Sequence, residues 1–288
     1  MKPAETPPSG WIEFAPRFQP RPGLRVALFD LDGTLSLLRS GWADVMVDLY
    51  AEALAPLTGE TPEARRQLAF QDIMQLNGRQ TLHQMIRLTE RIAERGGLPQ
   101  PPQAYKQEFL RRLNLRLTPR KEAIRTRQTE ADSWLVPGAR AFLQYLRTRG
   151  FDLYLASGTD EALVQEESQL LQIQPFFTPP LYGARDEHFT KAAAIDEILR
   201  RTGVTGQQLL CFGDGPVEIQ NTKAVGGVAI GLVGIEKKPW PGQPDPWKRQ
   251  QLLEAGADAL IVDYRAAQQL LQMLLGENSH TPHKTGSS

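Results

Sequence analysis

An alternation of short apolar segments and amphipathic segments over residues 133–276 restricts the fold of this chain more than any other pattern. The apolar runs "FDLYLASG", "QLLCFGDG", "GVAIGLV" and "DALIVD" are typical of strands buried on both faces of a parallel sheet. The segments between them have helical spacing, as in 137–150, which starts with Pro and ends with Gly. This alternation predicts βαβ units, so we expect an α/β fold with a doubly wound, mostly parallel, Rossmann-like sheet.

A further apolar run and a long helical insertion precede this alternation. "RVALFD" (25–30) has the pattern of another buried strand of the same sheet. Residues 39–132 contain four segments with apolar residues at helical spacing and no convincing strand. We therefore predict a core made of 25–38 and 133–276, with an all-helical module inserted at 39–132.

The two ends of the chain differ from this core. Residues 1–24 are rich in proline, which predicts an extended arm that contacts the surface through Trp11 and Phe14. The polar segment 277–288 is typical of a disordered tail.

Composition excludes several classes of partner. The chain has 33 Lys and Arg against 33 Asp and Glu, so no general attraction to nucleic acid or a membrane surface is expected. No window approaches the roughly 18 apolar residues of a membrane span, and the start of the chain lacks the apolar core of a secretory signal. We expect a cytoplasmic protein, and its one cysteine, Cys211, suits a buried position.

Polar residues follow several of the predicted strands. Asp30 and Asp32 end the first strand, and Ser157 and Gly158 end the next. Lys191 starts a helix, and Asp214 ends a later strand, with Glu218 one helical turn beyond it. Because ligands of open α/β sheets bind outside the carboxyl ends of the strands, these residues should converge at one edge.

Such a set of residues suits phosphoryl chemistry. Asp30 and Asp214 offer the oxygen donors that Mg²⁺ prefers, Asp30 is placed to attack phosphorus, and Asp32 to transfer protons. Gly33 permits a tight turn, while Thr34 and Ser157 offer hydroxyl groups to phosphate oxygens. Lys191 adds a compact positive charge. Each residue also has a purely structural alternative, in which "DLDGT" is a turn, Ser157 a helix cap and Lys191 a surface lysine.

Taken in order, "FDLDGT", "LASG", the helix start at Lys191 and "FGDGPVE" resemble the four motifs of the haloacid dehalogenase-like superfamily. The resemblance implies a Mg²⁺-dependent mechanism through an aspartyl-phosphate on Asp30. It implies metal binding by Asp30, by the backbone carbonyl of Asp32 and by Asp214. It also implies that residues 39–132 are the helical cap of phosphoglycolate phosphatase-like and β-phosphoglucomutase-like members.

The chain departs from the family pattern at Glu218, where many members have a second aspartate. This longer side chain would reach the metal through water or hold Lys191 instead. In the cap, "QLNGRQTLHQM" resembles a glycine-containing loop that faces the active site, which makes Arg79 a candidate substrate-binding residue. An ordinary arginine at a helix start is the alternative, and Arg39 and His83 are weaker candidates.

The function that these residues predict is a Mg²⁺-dependent phosphatase acting on a small phosphorylated metabolite. A phosphomutase on the same scaffold and a catalytically silent binding protein are the alternatives. A monomer or homodimer is expected. The sequence does not decide the role of two features. One is residues 111–127, with seven basic residues against one acidic residue, and the other is the loop 237–247, with two tryptophans and four prolines.

Overall fold

A computed structural model describes residues 10–57, 59–186 and 188–277. Its strands are β1 (Ile12–Phe14), β2 (Val26–Phe29), β3 (Asp152–Asp160), β4 (Tyr182–Ala184), β5 (Leu209–Gly213), β6 (Val228–Leu232) and β7 (Ala259–Ile261). The cap segment forms helices α1 (Trp42–Leu54), α2 (Pro62–Gln75), α3 (Thr81–Ala93) and α4 (Pro102–Arg125). The remaining helices are α5 (Ala139–Thr148), α6 (Glu161–Leu170), α7 (Lys191–Thr202), α8 (Pro216–Ala224), α9 (Pro246–Glu254) and α10 (Ala267–Leu275).

The strands form one sheet in the order β1-β7-β6-β5-β2-β3-β4. All neighbouring pairs are parallel except β1 with β7, which is antiparallel. This is the doubly wound, mostly parallel α/β sheet that the sequence predicts. The interior strand β2 is fully buried, and its Phe29 stacks on Phe212 of β5 with ring centroids 4.7 Å apart. The sheet therefore fixes the carboxyl ends of β2, β3 and β5 next to one another.

Two short strands are missing from the sequence analysis. Ile12–Phe14 lies in the predicted arm but forms β1 and pairs with β7, with Ile12 opposite Ile261. Tyr182–Ala184 forms β4 beside β3. A three-residue strand is too short to show a repeat of two, so the sequence pattern carries little signal for either. The rest of the arm up to residue 9, and the predicted tail after Glu277, lie outside the described residues.

The chain enters and leaves the cap through two segments that run side by side. Ser36 and Leu135 form an isolated antiparallel bridge. The Leu37 amide donates to the Trp134 carbonyl at 2.8 Å, and the Val136 amide to the Leu35 carbonyl at 2.9 Å. The cap is therefore attached to the sheet by a short two-stranded connection. Of the helices described here, none has the length and apolar character that crossing a membrane would demand.

Candidate active site

Asp30 and Lys191 form the centre of the site. Asp30 directly follows β2, and Lys191 is the first residue of α7, whose preceding residue Thr190 accepts a hydrogen bond from the Ala193 amide. The Lys191 Nζ donates to Asp30 Oδ1 at 2.6 Å and also contacts the Glu218 carboxylate. All three side chains are buried. Glu218 thus contacts Lys191, which is one of the two alternatives that the sequence analysis gives for this residue.

Burial dominates the electrostatics of this group. It raises the pKa of Asp30 well above its usual range, although Lys191 acts in the opposite direction. The neighbouring carboxylates Glu218 and Asp214 add to the increase. The pKa of Glu218 is raised for the same main reason, and Lys191 again opposes the shift. Burial and the neighbouring carboxylates thus both disfavour the charged form of Asp30, and Lys191 opposes them.

Asp32 lies in the same pocket with different partners. Its Oδ2 accepts a hydrogen bond from the Thr159 hydroxyl at 2.9 Å, while its Oδ1 lies 3.6 Å from the Arg39 Nε and has no hydrogen-bond partner. Its side chain is 19% exposed and lines the pocket, and Oδ1 itself is buried. Burial raises the pKa of Asp32 to about 6, with Arg39 opposing the shift. A carboxyl group with this pKa exchanges protons readily near neutral pH.

Arg39 is fixed in place by an acid that the sequence analysis did not identify. Its Nε and one terminal nitrogen donate to the two oxygens of Glu167 at 2.8 and 2.9 Å. Glu167, on α6, is fully buried and lies 3.1 Å from the Lys121 Nζ of the cap. Burial alone would raise the pKa of Glu167, but Arg39 and Lys121 hold it below its ordinary value. Glu167 sits in a helix pattern typical of a surface position, so no sequence signal marks it.

Asp214 is held by a second lysine that the sequence analysis also missed. The Lys248 Nζ donates to Asp214 Oδ2 at 2.7 Å and to Glu236 Oε1 at 2.6 Å. Lys248 lies on α9 and is buried. The turn at Gly33 passes close to the Asp214 carboxylate, and a Cβ at Gly33 would lie 2.8 Å from Glu236 Oε1. Oδ2 of Asp214 therefore accepts a hydrogen bond from Lys248, and Asp214 also lines the pocket.

The donor set fits Mg²⁺. No group of three or more His, Cys, Asp or Glu side chains arranged for a metal occurs within residues 10–57, 59–186 and 188–277. Mg²⁺ keeps several of its water ligands, so it needs only a few donors from the protein. The carboxylates of Asp30 and Asp214 and the backbone carbonyl of Asp32 would be sufficient. A cation bound at these oxygens would favour the charged form of Asp30, which burial disfavours.

The residues predicted to bind phosphate fall into two groups. Ser157 and Gly158 line the pocket, and the Ser157 Oγ accepts a hydrogen bond from the Thr159 amide at 3.1 Å. Gly33 and Thr34 do not line the pocket. Thr34 is fully buried, and its hydroxyl has no hydrogen-bond partner. A contact between Thr34 and phosphate therefore stays a prediction without support from the geometry.

The cap loop Asn77–Arg79 closes over the site. Gly78 has a φ of +85°, and a Cβ there would lie 2.6 Å from Glu218 Oε1. A Cβ on Gly158 would lie 2.6 Å from the Arg79 carbonyl oxygen. Cap and core backbones thus meet at two glycines because a side chain at either would keep them apart. The Arg79 side chain itself is exposed and lies at the pocket rim, and His83 lines a neighbouring pocket.

The pocket is partly open to solvent and is bordered by both core and cap. Its core side carries the chemistry-bearing residues Asp30, Asp32, Ser157, Gly158, Thr159, Lys191 and Asp214. Arg39 and the cap supply the rest of the wall: Trp42, Met46, Asn77, Gly78, Arg79, Thr81, Gln84, Phe109 and Leu113.

The two open features of the sequence have structural contacts. Several basic residues of 111–127 form ion pairs, such as Arg112 with Glu108 at 2.6 Å and Arg125 with Glu166 at 2.9 Å. In the loop 237–247, Trp247 packs against Phe70 of the cap, and Lys238 lies 3.3 Å from the ring centroid of Trp134. Arg125 and Trp247 thus join the cap to the core, whereas the pair of Arg112 and Glu108 lies within α4.

Similar folds occur among solved structures. A predicted phosphoglycolate phosphatase from Haemophilus somnus 129PT is 17% identical, with a TM-score of 0.57 over 87% of this chain and 99% of that one. A provisionally named β-phosphoglucomutase from Bacteroides vulgatus is 18% identical, with a TM-score of 0.58 over 88% and 90%. A hydrolase from Pseudomonas syringae is 17% identical, with a TM-score of 0.58 over 87% and 99%. At this identity the likeness establishes the fold.

Comparisons by sequence identify the protein family. No curated protein matches the chain significantly. The family model for haloacid dehalogenase-like hydrolases matches residues 24–226, from the strand that precedes Asp30 to the helix that follows Asp214. With this match over more than half of its length, the chain belongs to the haloacid dehalogenase-like hydrolases.

Proposed function

We propose that the protein is a Mg²⁺-dependent phosphatase that hydrolyses a small phosphate monoester through an aspartyl-phosphate on Asp30. The main support is that two aspartates share one pocket but have different partners. Asp30 is bound by Lys191, whereas Asp32 is bound by Thr159 and keeps an oxygen without a hydrogen-bond partner. One carboxyl group is thus placed as nucleophile and the other as acid and base. A small phosphorylated metabolite as substrate and a cytoplasmic location belong to the same proposal.

The proposed reaction has two steps. A carboxylate oxygen of Asp30 attacks phosphorus, the bond from phosphorus to the leaving oxygen breaks, and Asp32 gives its proton to that oxygen. Asp32 then takes a proton from water, whose oxygen attacks phosphorus and frees Asp30 and inorganic phosphate. Lys191 balances the charge on Asp30 throughout, and the raised pKa of Asp32 suits both directions of proton transfer.

Asp30, Asp214 and the Asp32 carbonyl would hold Mg²⁺. When bound, the ion would neutralise the phosphate and the surrounding carboxylates. Lys248 would hold Asp214 in place by its bond to Oδ2.

Phosphate release from a panel of phosphomonoesters, with and without Mg²⁺, tests the proposal. We expect Mg²⁺-dependent release that Asp30→Asn abolishes. Asp152→Asn, at the exposed opposite end of a neighbouring strand, is the control and should keep full activity. Activity that persists in the Asp30→Asn variant would show that Asp30 is not the nucleophile. With a hexose 1-phosphate, isomerised sugar phosphate in place of free phosphate would show a mutase.

A further inference from the structure

The two oxygens of the Asp32 carboxyl group are held by different residues. Oδ2 accepts a hydrogen bond from the Thr159 hydroxyl at 2.9 Å. Oδ1 is buried and has no hydrogen-bond partner, and it lies 3.6 Å from the Arg39 Nε. This distance is too long for a hydrogen bond but short enough for a strong attraction between charges in a buried site. The orientation of the Asp32 carboxyl therefore depends on Arg39 as well as on Thr159.

Arg39 is itself held firmly. Its side chain is 7% exposed, and two of its nitrogens donate to the two oxygens of Glu167 at 2.8 and 2.9 Å. This fork geometry fixes the plane of a guanidinium group. Glu167 is fully buried on α6 and also lies 3.1 Å from the Lys121 Nζ. Arg39 thus has little freedom to move relative to Asp32.

Stability alone does not explain this arrangement. A buried pair of Arg and Glu loses the hydration of both ions, and apolar side chains of similar volume often stabilise a fold as well or better. Here the pair lies beside the pocket, which Arg39 and Asp32 both line. The pair therefore places a fixed positive charge against the residue that is proposed as acid and base.

We propose that Arg39 is a positioning residue, which fixes the orientation of the Asp32 carboxyl for proton transfer, and that Glu167 holds Arg39 in place. This inference rests on the proposed phosphatase function and concerns the same site. Arg39 acts through Asp32, so it needs no contact with the substrate. Proton transfer requires the carboxyl group within hydrogen-bond reach of the leaving oxygen, so a small rotation of Asp32 slows it.

The need for this proton depends on the leaving group. The oxygen of 4-methylphenol is basic and leaves readily only when it receives a proton, whereas the 4-nitrophenolate ion is stable and leaves without one. The phosphate esters of these two phenols have similar size and the same charge. A misplaced Asp32 carboxyl should therefore slow hydrolysis of the first ester more than that of the second.

The ratio of kcat/KM for 4-nitrophenyl phosphate to kcat/KM for 4-methylphenyl phosphate measures this effect. It is a suitable measure because kcat/KM includes the step that breaks the bond to the leaving oxygen. We expect Arg39→Met to raise the ratio at least about tenfold relative to the wild type. Loss of a merely structural residue lowers both values by the same factor, so an unchanged ratio would overturn the proposal.

Arg120→Met is the matched control. The Arg120 Nη1 donates to the Leu38 and Ser40 carbonyls at 2.6 and 2.9 Å, so it holds the two residues that flank Arg39. These contacts are with the backbone of the linker, whereas Arg39 contacts the Asp32 side chain. We expect the ratio to stay at the wild-type value. A rise as large as that in Arg39→Met would overturn the proposal, because a disturbed linker would then explain both.

A double variant covers the case in which Arg39→Met does not fold. The single substitution leaves Glu167 buried without its main partner, which destabilises the folded state. Arg39→Met combined with Glu167→Met removes both charges, while Lys121 keeps an ion pair with Glu166 at 3.0 Å. We expect the same rise in the ratio from the double variant. An unchanged ratio in this folded protein would also overturn the proposal.

Crystal structures of the wild type and the double variant give a readout that does not depend on turnover. We expect the Asp32 side chain to adopt a different rotamer, or more than one, in the variant. A single unchanged rotamer would overturn the positioning role of Arg39, and these structures decide alone if the enzyme hydrolyses other esters but neither aryl ester. If no phosphomonoester is hydrolysed, the proposed function fails, whereas the crystal structures still decide whether Arg39 holds Asp32.

Discussion

At the scale of single residues, the carboxyl group of Asp32 is held where its charge is disfavoured. Folding raises its pKa from 3.8 to about 6, mainly through burial. Between these pH values the folded state binds more protons than the unfolded state, so stability falls as pH rises through the window. Above about pH 6 the full destabilisation is present. The function proposed for Asp32 therefore has a cost in stability.

Asp32→Asn should remove this cost. We expect the metal-free variant to gain roughly 1–3 kcal/mol in free energy of unfolding at pH 7, since one pKa unit corresponds to about 1.4 kcal/mol, and to lose hydrolysis. Urea unfolding at pH 7 and pH 4 measures the gain, which should shrink towards pH 4. Asp152→Asn is the exposed control. A variant less stable than the wild type at pH 7 would contradict this account of Asp32.

Lys248 is a second residue whose contacts predict a large effect. It lies buried between Asp214 and Glu236, so Lys248→Met leaves two carboxylates without their cation. We expect a loss of about 3–5 kcal/mol in the free energy of unfolding without added metal. Lys223→Met, which breaks a pair with Asp258 at a side chain that is 34% exposed, should cost about 1 kcal/mol or less. Equal losses in urea unfolding would show that Lys248 is no more important than a surface lysine.

At the scale of elements, the turn between α2 and α3 joins cap to core through Gly78. Its φ of +85° and its closeness to Glu218 both require glycine. Gly78→Ala should lower kcat/KM at least tenfold because the added Cβ pushes the loop away from Glu218 and Lys191. Gly96→Ala is the control, since Gly96 has a φ of +74° but nothing within 4 Å of an added Cβ.

The Gly96→Ala control distinguishes the effect of backbone strain from the effect of losing the close contact between Gly78 and Glu218. Both substitutions put alanine in a left-handed conformation and should cost about 1–2 kcal/mol of stability each. Only Gly78→Ala should reduce activity on the best substrate of the phosphomonoester panel. Activity that falls equally in the two variants would mean that strain in the cap, and not the contact with Glu218, is responsible.

The elements differ in how well the sequence predicted them. The strands near Asp30, Ser157 and Asp214 end one to two residues from the predicted positions because each is a continuous apolar run followed by polar residues. Strands β1 and β4 were missed, since three residues are too few for a pattern. Helix α4 continues through Pro119 to Arg125, past the segment in which the sequence analysis found apolar spacing. Near this end, Lys121 and Arg125 donate hydrogen bonds to Glu166.

At the scale of the whole molecule, cap and core share one apolar cluster and are also joined by polar contacts around the pocket. The Gln80 side-chain nitrogen donates to the Asp186 and Phe189 carbonyls at 3.0 and 2.6 Å. Lys106 of α4 pairs with Asp160 at 2.6 Å. We expect the two-stranded connection at residues 35–37 and 134–136 to act as the hinge. These contacts can break and re-form together while the sheet stays intact.

Hydrogen exchange should detect this motion. We expect the amides of residues 77–80 to exchange at least fivefold more slowly when Mg²⁺ and inorganic phosphate are added, with little change in β5. Lys106→Met should speed exchange at 77–80, whereas Arg111→Met, which breaks a pair within α4 itself, should not. Identical exchange with and without ligands would show that the cap does not open.

The sequence alone indicated strands β2, β3, β5, β6 and β7 and the aspartates that follow them, because strand ends are local and polar residues there stand out against apolar runs. Tertiary structure decided the partners of those groups. Glu167, Lys248 and Glu236 reach the site from helices and loops far away in the chain, and nothing local distinguishes them from surface residues. The apolar wall of Trp42, Met46, Phe109 and Leu113 likewise exists only because α1 and α4 pack side by side, since helical periodicity gives a face but not its neighbour.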